Sequence, residues 1–129
     1  MGKSMEYDAV KDSGKRQEFD TGSRRDTRSG KGRYDLLPAH AVHRLAKHFE
    51  NGSVKYGDRN WEKGQPLSRY LDSALRHAFA FSSGKRDEDH AIAAVWNLMC
   101  LVETQHRIAT GTLPKELDDL PSIAPSDAP

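Results

Sequence analysis

The sequence predicts an all-α protein built as a bundle of three main helices, and two observations lead to this fold class. Apolar residues recur at three- and four-residue spacing in three segments, a pattern typical of a buried helix face. No segment alternates apolar and polar residues in the way that a half-buried strand requires. The foldable part covers only about 80 to 90 residues. Because a core of that size leaves apolar surface uncovered, we expect self-association to complete the bundle.

Each helix has its own evidence. The first is predicted by Val42, Leu45, Ala46 and Phe49, which stand at i, i+3, i+4 and i+7. The second has similar apolar spacing and meets a stop signal of small residues, and the third is followed by glycine and proline. The first predicted helix runs over approximately 38–56, and Asn51-Gly52 could end it earlier. The second begins at Gln65 or Ser68 and ends around 82–84, and the third begins within 87–89 and ends near Ala109.

The two ends of the chain differ in composition from its middle. The first 30 residues are rich in Lys, Arg, Asp, Ser and Gly, and the last residues are rich in Pro, Ser and Asp. Such segments bury too little apolar surface to offset the entropy of ordering. We therefore predict a flexible basic arm over 1–30, an all-α domain over 31–110 and a flexible acidic, proline-rich tail over 111–129.

Charge and hydropathy limit the partners and the compartment. A net charge of +1 is too small for the cationic field of a dedicated nucleic-acid binder. The chain holds no run of about 18 apolar residues and no signal peptide, so we expect a cytoplasmic protein with no membrane partner. The lone Cys100 falls within the apolar pattern of the third helix and is predicted to be a buried, reduced thiol.

Titratable side chains gather at the connection between the second and third predicted helices. Arg76 and His77 come near the end of one helix, and Asp87, Asp89 and His90 open the next. In a helical bundle, imidazole and carboxylate groups of this kind can hold metal ions or move protons. An acidic first turn also stabilises the positive end of a helix, so capping is the alternative explanation of the aspartates.

Glu50, near the end of the first helix, adds a further carboxylate. Together with Asp87 and Asp89 it could supply the oxygen ligands that Mg²⁺ prefers. Since Mn²⁺ also accepts imidazole, His77 and His90 are candidates for ligands, acid–base groups or supports of the ligands. The equal alternative for two histidines on polar helix faces is a surface or hydrogen-bonded structural role.

Cations that suit a polyphosphate surround these groups. Arginine binds phosphate through its planar fork, and lysine acts as a point charge. Taken singly, each cation could equally be a solvated surface residue. Trp61, in a charged loop after the first helix, either packs as a plug on a neighbouring helix or stacks on a base. The candidate phosphate-binding residues are Lys31, Arg33, Lys55, Lys63 and Arg76.

Several spaced motifs resemble those of one known family. They are GRYDLLP at 32–38, KYGDRNWEKG at 55–64, Arg76-His77, Asp87 with His90, and Trp96-Asn97. In this order they resemble the phage dATP/dGTP diphosphohydrolase family. That family is related to the MazG-like all-α nucleotide pyrophosphohydrolases and includes the MazZ proteins.

The resemblance implies hydrolysis of a deoxypurine triphosphate, dATP or dGTP, to the monophosphate and pyrophosphate with Mg²⁺ or Mn²⁺. It implies a role in phage nucleotide metabolism, within the host cytoplasm, and a homo-oligomer such as a dimer or tetramer. It also implies that the phosphates are held by Lys31, Arg33, Lys55, Lys63 and Arg76. By this resemblance Glu50, Asp87 and Asp89 hold the metal, His77 and His90 are catalytic, and Asn60, Trp61 and Asn97 contact the substrate.

One departure from the family pattern changes the expected site. MazG-like enzymes carry EExxE on one helix and ExxD on the next, and neither motif occurs here. Only Glu50 stands where the first motif could be, so we expect Glu50 and the 55–64 loop to face Arg76-His77 and 87–90 across one pocket. The alternative function is a non-catalytic phage protein that binds nucleic acid or a host factor through the basic arm and the Trp61 loop.

Overall fold

The computed structural model of the protein describes residues 10–124. Within them the chain divides into two compact units, and the boundary in sequence falls between Leu37 and Pro38. None of the helices in the described residues is long and apolar enough to cross a membrane. The three segments that composition predicts, 1–30, 31–110 and 111–129, stay a prediction.

The first unit contains a short β-hairpin. Strand β1 (Arg16–Glu18) pairs antiparallel with strand β2 (Arg24–Asp26). The Phe19 N–H donates to the Ser23 carbonyl at 2.8 Å, and the Gly22 N–H donates to the Phe19 carbonyl at 2.8 Å. The sequence pattern did not predict these strands because both are hydrophilic and largely exposed, so they have no buried face that would impose alternation.

The second unit is built from three helices, as the sequence predicts. Helix α1 spans Ala39–Tyr56, α2 spans Leu67–Ser82 and α3 spans His90–Ala109. Helices α2 and α3 share the main packing interface, and α1 lies against α3. A 3-10 turn at Asn60–Lys63 precedes α2, and another at Lys115–Leu117 follows α3. The mostly helical architecture confirms the predicted fold class.

The core lies mainly between α2 and α3. On α3, Asn97 and Thr104 extend the buried stripe of Ala93 and Cys100, and each donates from its side chain to the carbonyl four residues earlier. Burial raises the pKa of the Cys100 thiol to about 12, so the predicted buried cysteine is confirmed as a neutral one. The buried apolar residues are Leu45, Leu67, Tyr70, Ala74, Ile92, Ala93 and Cys100.

The segment after α3 packs against the start of α2. A Cβ at Gly64 would stand 2.8 Å from Leu117 Cδ1 and 3.1 Å from Leu113 Cδ2, so these leucines close directly over the glycine. Asp119 accepts hydrogen bonds from the Ser68 N–H at 2.9 Å and from the Ser68 hydroxyl at 2.5 Å. It thereby caps α2 from a distance, and residues 113–119 have more structure than their composition predicts.

We expect Asp119→Ala to lower the midpoint of thermal unfolding by a few degrees, because the first turn of α2 loses its cap. The two Ser68 hydrogen bonds hold the pKa of Asp119 below its usual range. Because the pKa of Asp119 is lower in the folded chain than in the unfolded chain, its ionised form stabilises the fold at pH values above the unfolded pKa. This stabilisation is lost as the pH falls through the lowered pKa. The difference from the wild type should therefore shrink in acid. Thermal melts at pH 7 and pH 3 test this, with Asp118→Ala as the control.

Candidate functional site

One cleft in the second unit collects most of the titratable and aromatic groups that the sequence singles out. Its volume is about 1280 Å³, larger than the roughly 300–1,000 Å³ of ordinary ligand pockets. Its wall is formed by the end of α1, the loop and 3-10 turn over 57–61, the Arg76-His77 pair of α2 and the start of α3. The two segments that we expected to face each other thus line the same cavity.

The structure brings together the predicted site residues from all three helices. Those that line the cleft are Glu50, Lys55, Asn60, Trp61, Arg76, His77, Asp89 and Asn97. Predicted residues that lie in the same unit but do not line it are Lys63, Asp87 and His90.

Two predicted phosphate ligands lie in the first unit and already have anionic partners there. The Lys31 Nζ is 2.8 Å from Asp26 Oδ2. The Arg33 guanidinium donates two hydrogen bonds of 2.8 Å to Asp35. Both cations are exposed, so these ion pairs are weak, and each cation can bind another anion in place of its aspartate.

One part of the cleft wall is cationic. Lys55 lies in the last turn of α1, Arg59 directly precedes the 3-10 turn and Arg76 lies in the second half of α2. Arg59 has φ 57° and ψ 28°, a left-handed conformation that is uncommon for a residue with a side chain. Strain of this kind is often kept at binding sites. Three cations around one cleft suit a ligand with several negative charges.

Another part of the wall is aromatic. The Trp96 ring centroid lies 5.6 Å from that of His48 and 5.9 Å from that of Phe49, and Trp61 lies 6.3 Å from Phe49. The Arg107 guanidinium also packs against Trp61, at 5.3 Å from its ring centroid. Trp61 is thus a packed residue that also lines the cleft, and its stacking on a base stays a prediction.

His77 and His90 face each other through their Nδ1 atoms, which are 2.9 Å apart. On its other side, His90 Nε2 is 2.8 Å from an oxygen of Asp87. This arrangement favours the tautomer in which His90 donates to Asp87 and accepts at Nδ1 from His77. Burial and the neighbouring charge of Arg76 lower the pKa of His77, so its imidazole is neutral at pH 7.

Asp89 is occupied by two structural contacts. Its carboxylate pairs with the Arg44 guanidinium at 2.6 and 3.1 Å, and its Oδ1 accepts from the Ile92 N–H at 3.2 Å. The Arg44 hydrogen bond also lowers the pKa of Asp89. Capping, the alternative explanation from the sequence, accounts for Asp89 in this structure. Its assignment as a metal ligand stays a prediction, and Arg44 would compete with the ion.

We expect Asp89→Ala to destabilise the protein by about 1 kcal/mol, the usual loss for a helix cap. Asp89→Asn should cost less, because the amide oxygen can still accept from the Ile92 N–H, and an exposed pair with Arg44 contributes little. Urea unfolding followed by far-ultraviolet circular dichroism measures both. Equal destabilisation by the two substitutions would show that the Arg44 pair, and not the cap, is the stabilising contact.

Among residues 10–124, one cluster of side chains fits a metal ion. Single ligand atoms of His77, Glu88 and His90 all lie within 4.8 Å of one another, and His77 Nδ1 is 3.7 Å from Glu88 Oε1. Two imidazoles and a carboxylate are a recurrent donor set for divalent ions. The residues present therefore fit the metal that the resemblance implies, although only the two histidines were candidates from the sequence.

Three residues of this region were missed as site residues. They are Arg44, His48 and Glu88, none of which is among the site residues that the sequence predicts. Arg44, His48, Asn51 and Lys55 stand at i, i+4, i+7 and i+11 on α1, a spacing that places them on one helix face. This polar stripe was the available signal for Arg44 and His48. No signal of comparable strength distinguishes Glu88 from its acidic neighbours.

Comparison with known proteins adds one finding. A family model described as dATP/dGTP diphosphohydrolase, N-terminal, matches residues 21–112. The match spans most of the chain, including all three helices and the cleft residues. No curated protein and no solved structure matches the chain.

Proposed function

The chain belongs to the dATP/dGTP diphosphohydrolase N-terminal family, and from this premise we propose that it hydrolyses a deoxypurine nucleoside triphosphate to the monophosphate and pyrophosphate. The reaction would serve nucleotide metabolism in a phage-infected cell. The observation that carries the proposal is the cleft, which combines cationic, aromatic and acid–imidazole groups within one wall. A triphosphate, a purine and a hydrolytic centre need these three environments.

The cationic part of the cleft binds the triphosphate in this proposal. Arg59 and Arg76 can each contact two phosphate oxygens, and Lys55 adds a point charge. Their joint presence lowers the energy of the charge that spreads over the phosphates as the bond breaks. Lys31 and Arg33 remain proposed phosphate ligands from the first unit.

The aromatic part binds the base. Trp61 offers a ring surface for stacking, and the cation behind it keeps the ring in place. Asn97 is fixed by the hydrogen bond from its Nδ2 to the Ala93 carbonyl at 2.8 Å, so its amide oxygen can accept from a base or sugar. Asn60 adds an amide beside Trp61.

Glu50 is the proposed base of the reaction, a role that replaces, in this proposal, the metal ligation that the resemblance implies for it. Within residues 10–124 its side chain makes no hydrogen bond or ion pair, and it lines the cleft. Water adds to the α-phosphorus, the bond from phosphorus to the bridging oxygen breaks, and pyrophosphate leaves. Glu50 takes the proton from the water.

A divalent cation such as Mg²⁺ or Mn²⁺, when bound, neutralises charge on the triphosphate. His77, Glu88 and His90 would hold it. The ligand role replaces, in this proposal, the acid–base role that the resemblance implies for the two histidines. Asp87 keeps His90 oriented through its Nε2.

Incubation with dGTP, dATP and the other nucleoside triphosphates, with Mg²⁺ or Mn²⁺, tests the activity. Reaction in ¹⁸O-labelled water should put the label in the deoxynucleoside monophosphate, because water attacks the α-phosphorus. Label in pyrophosphate would mean attack at the β-phosphorus, and absence of products with every nucleotide and either ion would refute the hydrolytic function. A Glu50→Gln preparation purified in parallel controls for contaminating hydrolases.

We also propose that the protein is a homo-oligomer. Large apolar side chains are exposed on both α2 and α3, with Phe79 72% and Val102 62% accessible. Leu75, Val95 and Met99 on these helices are exposed as well. Because uncovered apolar surface is rarely left in water, we expect a dimer or tetramer. Sedimentation-equilibrium experiments at micromolar concentration measure the mass, and a monomer would contradict the expectation.

A further inference from the structure

We propose that His77, Glu88 and His90 form a site for a divalent ion that accepts imidazole nitrogen, such as Zn²⁺, Co²⁺ or Mn²⁺, in preference to Mg²⁺. The inference deepens the proposed function by naming the class of ion, and it rests on that function only for the role of the ion. The observation that supports metal binding itself is that the three ligand atoms lie close together.

The ligand atoms already stand close enough for one ion. Two nitrogens bound to the same ion at about 2.0–2.1 Å each can be at most about 4.2 Å apart. The two Nδ1 atoms are 2.9 Å apart, and His77 Nδ1 is 3.7 Å from Glu88 Oε1. Glu88 is exposed, so its carboxylate can move the remaining distance without disturbing the core.

The surroundings prepare the nitrogens for coordination. Asp87 lies 2.8 Å from His90 Nε2, so the His90 proton is held there and the Nδ1 lone pair is left toward His77. A carboxylate on the far nitrogen of a histidine is the usual support of a metal ligand. Binding of an ion by both Nδ1 atoms would require the proton between them to leave.

The donor set decides the class of ion. Mg²⁺ prefers oxygen ligands in near-octahedral geometry and keeps several waters. Two imidazoles with one carboxylate instead suit zinc and other first-row transition ions. His77 and Glu88 line the cleft, whereas His90 lies behind them. An ion bound by these three residues would keep a coordination position free, and a further ligand could reach it from the cleft.

The test measures metal binding without nucleotide, using the full chain free of any affinity tag and stripped with a chelator. Isothermal titration with ZnCl₂, CoCl₂, MnCl₂ and MgCl₂ should show one ion per chain for the transition metals and at least tenfold weaker binding of Mg²⁺. Cobalt should give a visible absorption band that zinc abolishes. Glu88→Gln and His77→Phe should each weaken cobalt binding at least tenfold. Glu116→Gln and His106→Phe, at exposed positions outside the cleft, are the matched controls.

The buried His77 could be needed for folding, so one measurement uses only the wild type. Nitrogen-15 spectra of the imidazoles should show zinc-dependent shifts of the Nδ1 resonances of two histidines. Unshifted resonances, or cobalt affinity unchanged in Glu88→Gln, would overturn the proposal. Hydrolysis with Mg²⁺ but no histidine-dependent cobalt binding would sink this inference and leave the function standing. Cobalt binding that depends on the histidines, without hydrolysis of any nucleotide, would support this inference and refute the proposed function.

Discussion

Glu50→Gln is expected to slow the hydrolysis of dGTP or dATP by at least about 100-fold, the lower limit for loss of a general base. The amide keeps the size of the side chain but cannot take a proton from water. The KM should change little, because the cations and aromatic rings that bind the nucleotide are untouched. Initial rates of pyrophosphate release at several substrate concentrations measure both constants.

The same variant should keep the stability of the wild type, since Glu50 is exposed and makes no side-chain hydrogen bond within residues 10–124. Glu116→Gln removes an equal charge from an exposed position outside the cleft and should retain full activity. A Glu50→Gln protein that is folded and as active as this control would rule out Glu50 as the base.

The helices were predictable because their evidence is local. Residues such as Leu67, Tyr70 and Ala74 recur at helical spacing, and all three are buried in the structure. The β-hairpin carries no such signal, because its six strand residues are charged or polar. The cap that Asp119 supplies to α2 joins residues 51 positions apart, so only the tertiary fold could reveal it.

The sequence predicted many of the residues that line the cleft, but not which of their side chains contact each other. Chemistry and resemblance pointed to the residues around Glu50, Trp61 and His77, which the fold brings to one cleft. The sequence could not show that Arg44 takes the carboxylate of Asp89, since these residues are 45 positions apart. Nor could it show that Asp87 pairs with His90 while Glu88 approaches His77. Local charge predicts that a carboxylate is present, and packing decides what it binds.

The absence of the EExxE and ExxD motifs can be compared with the groups that line the cleft. A helix with several glutamates gives an oxygen-rich site, whereas this cleft has Glu50 on α1 and a pair of imidazoles between α2 and α3. In the proposed reaction, more of the charge on the phosphates would then be neutralised by cations, and Arg59 and Arg76 line the cleft. The family activity and a different ligand set are therefore compatible.

Trp96→Ala is expected to destabilise the protein by about 3–5 kcal/mol, the range for truncating a large aromatic residue in a packed environment. Its ring lies among His48, Phe49 and Tyr70, at centroid distances of 5.6, 5.9 and 6.4 Å. Loss of the ring would open a cavity between α1 and the α2–α3 interface. Urea unfolding followed by far-ultraviolet circular dichroism gives the free energy without relying on the fluorescence of the replaced residue.

Trp96→Phe should instead stay within about 1 kcal/mol of the wild type, because two effects oppose each other. The smaller ring loses some packing, but the indole Nε1 is buried and has no hydrogen-bond partner among the described residues. A buried donor without a partner costs about 1–3 kcal/mol, and phenylalanine removes that cost. If phenylalanine proved as damaging as alanine, Nε1 would have to possess an acceptor in solution, and an ordered water or a second copy of the chain would be its source.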